Sequence, residues 1–213
     1  MDLSHPIRSV MPQLDGEIFS VLARTTQPLT GRKIAGLVDR GSVAGVRRAL
    51  GRLVQDGLVL SDQIGSALVY VANRQHLLWP AVETMLDATQ RVPSELRARI
   101  AESAAAFGQE EQSVLTVALY GSVARGDSSA QSDIDLVIVA TGESVEVAER
   151  FADIVAVDVR RWTGNDCNAY CVDEARLQEM TRDHDPIIES WASDAVTIAG
   201  PDFETRMSYT NMK

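Results

Sequence analysis

Apolar residues recur at helical spacing through the first quarter of the chain, then give way to short strand-like runs, and the same change of period returns further on. Ile18, Phe19 and Leu22 share one helical face, and Pro28 closes that segment. Thr30 suits the cap of a short helix that turns Ile34, Leu37 and Val38 inward. Gly41 supplies a turn, Ser42 a second cap, and the helix that follows runs to Gln55 or Asp56 before Gly57 stops it. Residues 58–60 and 68–71 read as strands about the turn Gln63-Ile64-Gly65-Ser66. Residues 80–89 form a helix, Val92-Pro93 breaks it, and Ser94 caps another over 94–106. Beyond the polar run 108–112, Val114–Tyr120 is a buried strand ending in Gly121-Ser122, and residues 134–140 form a second. A helix over 144–162 points Val147, Phe151, Ile154, Val155 and Val159 inward, and Gly164 ends it before a strand over 166–172. Helices over 174–182 and 186–193 complete the pattern.

This predicts an α+β chain in three parts: residues 1–74, a helical connector over 75–112, and residues 113–213. The 213 residues are 45% apolar and 23% charged, ordinary for a globular protein. No apolar run approaches a bilayer span and no secretory signal is visible, so a cytoplasmic protein without a membrane partner is expected. Cys167 and Cys171 sit too far apart along one strand to pair, and the three histidines show no ligand spacing around them.

The net charge of −10 is unevenly placed. Residues 1–90 carry nine Lys/Arg against eight Asp/Glu, while residues 91–213 carry eleven against twenty-two. Arg24, Arg32, Lys33, Arg40, Arg47, Arg48 and Arg52 face only Asp39 within 24–52, a basic island in an acidic chain. On the helix after Ser42, Val46, Leu50, Leu53 and Val54 share one face, and Arg47, Arg48 and Arg52 lie opposite with Ala44 and Gly51. Three helices followed by a β-ribbon, with the stretch LTGRKIAGLVDRGSVAGVRRALGRLVQDGLVL over 29–60, resemble a winged helix-turn-helix. The resemblance implies double-stranded DNA as a partner, contacted through Arg32, Lys33, Ser42, Arg47, Arg48 and Arg52. A winged helix used only to form a homodimer is the alternative.

The stretch GSVARGDSSAQSDIDLVIV, residues 121–139, carries the chemistry. A turn and short helix start offer amides to phosphate oxygens. Strand alternation then puts Asp133 and Asp135 on one face, an arrangement that calls for a cation such as Mg²⁺ with a nucleotide's phosphates. Gly-Ser, ten residues and Asp-x-Asp between two apolar strands resemble the nucleotidyltransferases related to DNA polymerase beta. The ARGD and SDIDL segments bring them nearest the minimal bacterial members, over about residues 113–200. The resemblance implies a mixed sheet flanked by helices, with Gly121, Ser122, Arg125 and Ser132 at the nucleotide and Asp133 and Asp135 on Mg²⁺, or Mn²⁺ in its place. The family's third carboxylate would fall at Asn168, which cannot act as a base; Asp166, two residues earlier, takes that role if the strand extends so far. With only Lys33 and Lys213 present, a P-loop is excluded.

Two functions follow. The first is Mg²⁺-dependent transfer of a nucleoside monophosphate from ATP or another NTP to an acceptor. The acidic second half disfavours a long nucleic acid as acceptor and leaves a protein side chain or a small hydroxyl compound; the family's toxin–antitoxin members suggest a protein acceptor or toxin partner. The second is a DNA-binding regulator or antitoxin whose transferase domain senses nucleotide or is degenerate.

Overall fold

The computed structural model describes residues 1–142 and 145–208, in two compact units. One is His5–Val92; the other joins Met1–Ser4 to the chain from Pro93 onward. Among the described residues no helix is long and apolar enough to cross a membrane.

The first unit runs α1 (Ile7–Val10), α2 (Leu14–Ala23), β1 (Leu29–Thr30), α3 (Gly31–Ala35), α4 (Val43–Gln55), β2 (Val59–Ile64) and β3 (Ala67–Ala72). Thr30 and Ser42 cap α3 and α4, their hydroxyls accepting from the backbone N–H groups of Lys33 at 3.2 Å and Gly45 at 3.1 Å. The strands form an antiparallel sheet in the order β1-β3-β2, and Ile64 pairs with Ala67 across the two-residue turn Gly65-Ser66. That pairing makes both hairpin strands longer than expected. Ile18, Leu22, Ile34, Val46 and Leu50 are fully buried in one core. Leu37 departs from expectation: α3 ends at Ala35, so Leu37 lies beyond the helical stripe and is exposed, while Val38 packs on the core.

Pro93 does not break the connector. One helix, α5 (Trp79–Glu111), continues through it. Proline removes a hydrogen bond there, yet Trp79, Val82 and Leu86 are buried before it, and Leu96, Ile100, Ala104 and Phe107 after it. Burial on both sides of the proline outweighs its local propensity.

The second unit continues with β4 (Val114–Tyr120), α6 (Gly121–Arg125), β5 (Ile134–Thr141), α7 (Val145–Thr163), β6 (Cys167–Asp173), α8 (Glu174–Arg182), α9 (Pro186–Asp194), β7 (Val196–Ala199) and α10 (Phe203–Ser208). Its sheet is mixed, in the order β6-β5-β4-β7, with β5 and β6 parallel and the other pairs antiparallel. Alternation gives it two apolar faces. Ala118, Val137, Val139 and Val172 pack with Leu177, Met180, Trp191 and Phe203 of α8, α9 and α10. α7 packs on β5 and β6 from the opposite side, burying Phe151, Val155 and Val159, and Phe107 of α5 meets Phe151 at 5.3 Å between ring centroids. Ile154 was expected inward and is instead exposed at the margin of the α7 stripe. The first residue of the expected helix, Ser144, lies outside the described residues. Cys167 and Cys171 are free thiols, pushed up to about 12 and about 11 chiefly by burial.

Gly200 closes the sheet after β7. Its φ is +76°, and a β-carbon there would overlap the Leu115 carbonyl oxygen. Left-handed backbone strain plus overpacking predicts that Gly200→Ala destabilises this unit by about 2–5 kcal/mol, read by thermal unfolding.

Candidate active site

The sheet register assembles the site. Tyr120 pairs with Asp135 and Asp135 with Asn168, so residues from three adjacent strands stand in one row on the face that α8 and α9 cover. Asp133, one residue before β5, joins the row's edge. The Asn168 amide spans the two carboxylates, donating to Asp133 Oδ2 at 3.0 Å and to Asp135 Oδ1 at 3.4 Å. Asp135 is half-buried, and burial pushes its carboxyl above the ordinary range; the Asn168 hydrogen bond opposes this and the Asp133 charge adds to it. Burial also raises the Tyr120 phenol, with the Asp135 charge second.

β4 delivers Gly121 beside this row. Its φ of +73° suits glycine, and a β-carbon would stand 2.7 Å from Asp135 Oδ2. The Gly-Ser turn therefore brings bare backbone against the carboxylates. Gly126, also left-handed, ends α6, and Asp127 N–H donates to the Ser122 carbonyl.

The other expected site residues divide. Arg125 donates from Nη1 to Asp194 Oδ2 at 2.5 Å, and from Nε to Asp127 Oδ2 at 3.2 Å. Ser132 shapes the loop: its hydroxyl accepts from Ser129 N–H at 2.9 Å and its carbonyl from the Asn165 amide. Asp166 lies outside β6, and its carboxylate pairs with Arg160 rather than joining Asp133 and Asp135. Its backbone carbonyl accepts from Ile134 N–H, so only its main chain serves the sheet here. Asn168 occupies the position between the two carboxylates.

Asp194 is the residue sequence reasoning missed. It lies 69 positions from Arg125. Its signal was local: it ends α9, where the helix dipole disfavours a carboxylate unless a cation is near.

In the first unit, Ser42 spends its hydroxyl on capping α4. Arg52 is held by Asp15 Oδ1 at 2.9 Å and Gln13 Oε1 at 3.2 Å, and Arg40 by buried Glu17 at 2.7 Å. Arg32, Lys33, Arg47 and Arg48 are exposed and form no ion pair among the described residues. Of the basic island, these four, two on α3 and two on α4, remain with Arg24, which is also exposed and lies just after α2.

Residues 102–164 match the family described as Polymerase beta, Nucleotidyltransferase. The matched segment holds Gly121, Ser122, Asp133 and Asp135 and stops before Asn168. Comparison with curated proteins returns no match. A chain from a crystal structure of a toxin-antitoxin with AMP-PNP is similar at 16% identity over 52% of this chain and 82% of that one, with a TM-score of 0.35.

Members of the family matched by residues 102–164 typically use a divalent cation, and the donor chemistry here fits one in part. Asp133 and Asp135 present hard carboxylate oxygens side by side, and rotation of Asn168 would add a neutral carbonyl oxygen. Among the described residues no third His, Cys, Asp or Glu completes such a group. Phosphate oxygens and water would have to supply the remaining ligands, as Mg²⁺ commonly requires.

Proposed function

We propose that the second unit binds a nucleoside triphosphate, ATP among the candidates, with a divalent cation, and transfers its nucleoside monophosphate to an acceptor, the bond between the α- and β-phosphates breaking and pyrophosphate leaving. The carrying observation is the Asp133–Asn168–Asp135 row facing the bare backbone of Gly121. Asp133 and Asp135 would hold the cation, which supplies charge neutralisation of the phosphates when bound. Gly121 lets the phosphates approach the main chain, Ser122 offers a hydroxyl donor, and Arg125 contributes guanidinium N–H groups. Asn168 keeps the two carboxylates together by donating to both.

Electrostatics supports a strict cation requirement. Among the described residues, Asp127 and Asp194 hold the Arg125 guanidinium, and Asp135, beside Asp133, also feels its charge, so four carboxylates share this end of the sheet with that one guanidinium. A triphosphate entering without Mg²⁺ would meet net negative charge. The acidity of residues 91–213, eleven Lys/Arg against twenty-two Asp/Glu, favours a protein acceptor over nucleic acid. The test supplies α-labelled ATP and Mg²⁺ to the full chain with separated protein and small-molecule fractions of a cell extract. Label is expected on protein, and lost with Asp133→Ala. Label in the small-molecule fraction would overturn the protein acceptor, and label in neither would overturn transfer.

We further propose that the first unit is a winged helix-turn-helix that contacts DNA through α3 and α4. Its support is a capped α4 that buries Val46, Leu50 and Leu53 and leaves Arg47 and Arg48 exposed beside Ala44 and Gly51. Replacing Arg47 and Arg48 by Ala is expected to weaken duplex DNA binding and flatten the log–log salt dependence by about 2, measured by fluorescence anisotropy. An unchanged slope would favour a dimerisation role. A regulator with a nucleotide-sensing site remains the second reading, favoured by an amide, Asn168, where a third acid belongs.

A further inference from the structure

Helix α9 braces α6 at both ends. Before the first residue of α6, Tyr120 meets Trp191 edge-on, ring centroids 6.0 Å apart. At the last residue of α6, Arg125 is held by Asp194. Trp191 is 1% exposed, and the Asp194 side chain 7%. A five-residue helix has little stability of its own, so α9 supplies the frame on which the Gly-Ser turn rests.

Asp194 differs from an ordinary surface acid in three ways. It sits at the C-terminal end of its helix, where a negative charge is disfavoured. Its carboxylate is nearly enclosed, and its Oδ1 has no hydrogen-bond partner among the described residues. It therefore depends on Arg125, since a buried carboxylate without a cation is strongly unfavourable. Arg125 in turn is stabilised in its charged form, first by Asp194 and then by Asp127.

The two acids act differently on the guanidinium. Asp127 is exposed and only two residues along the same loop, so it can move with Arg125. Asp194 belongs to another helix, anchored by buried Trp191, and so fixes where the guanidinium lies. Three hydrogen bonds occupy three of the five guanidinium N–H groups. Two N–H groups are left over, on a side chain that stays 46% exposed.

We propose that Asp194 is a positioning residue: it holds Arg125 so that the two remaining N–H groups meet phosphate oxygens of the bound nucleotide. The inference rests on the nucleotide-site reading above. Asp194 touches no substrate itself. It acts by removing the freedom that Arg125 would otherwise lose on binding.

The test titrates the full chain with Mg·ATP and with Mg·tripolyphosphate, as wild type, Asp194→Asn, Arg125→Gln and the double variant. Asp194→Asn is expected to weaken both ligands by about tenfold and to add nothing further in the Arg125→Gln background. Tripolyphosphate has no base or ribose, so an equal loss for both ligands places the effect at the phosphates. Unchanged or tighter tripolyphosphate binding by Asp194→Asn would overturn the proposal, the tighter case meaning that Asp194 competes with phosphate for Arg125. Equal weakening with and without Arg125 would also overturn it, because damage to the fold acts in both backgrounds. A wild type that binds neither ligand would instead remove the nucleotide reading, and this inference with it.

Discussion

Asp135→Asn is expected to raise the melting temperature of the unliganded chain and to weaken Mg²⁺-dependent ATP binding by about 100-fold or more. Both effects come from one cause. Asp135 is half-buried and faces Asp133, and its carboxyl is held above the ordinary range mainly by burial. A carboxylate whose folded-state pKa is raised is harder to ionise in the folded chain than in the unfolded one, so at neutral pH its charge opposes folding. An amide of the same shape removes that opposition. It also removes one of the two anionic oxygen donors at the site, which a cation needs far more than the fold does. Thermal unfolding in EDTA reads the first effect and equilibrium dialysis with labelled ATP the second. A variant that melts lower and still binds would contradict the assignment of Asp135 to function.

Asn168→Asp should produce the opposite pair of changes. The amide now donates to Asp133 at 3.0 Å and Asp135 at 3.4 Å, so it partly fills the place of a cation. A third carboxylate would lose those bonds and add like-charge repulsion, a penalty of about 1–2 kcal/mol without cation, or roughly 2–8 °C in melting temperature. With Mg²⁺ present the order should reverse, because a third anionic ligand tightens cation binding and ligand saturation stabilises the fold, by about 2.7 kcal/mol at a hundredfold excess over Kd. Melting curves in EDTA and in a Mg²⁺ series check this. If transfer activity also rises in Asn168→Asp, the natural amide limits turnover. If binding tightens with no gain in transfer, the natural chain is tuned to hold nucleotide.

Much of this site was legible because its determinants are local. Val114–Tyr120 announces itself by a continuous apolar run, and the Gly-Ser turn and Asp-x-Asp pair follow within fifteen positions. Thr30 and Ser42 were readable as caps because capping chemistry needs only three residues. The misreadings have tertiary causes. Pro93 looks like a helix end until buried residues on both sides of it are known. Ile154 fits the α7 stripe by period, but only the sheet's width decides which margin residue is covered. Asp166 shares a strand parity with Asn168, yet Arg160, one turn back on α7, claims its carboxylate. Asp194 could not be linked to Arg125 by any pattern, since the pairing exists only once α9 folds against α6.

The most direct test of the central claim is a calorimetric titration of the wild-type chain with ATP, in Mg²⁺ and again in EDTA. Binding in Mg²⁺ that disappears in EDTA is the predicted result, because four carboxylates and one guanidinium repel an uncompensated triphosphate. Equal binding in both conditions would contradict the role given to Asp133 and Asp135, and no binding in either would leave the second unit as a scaffold.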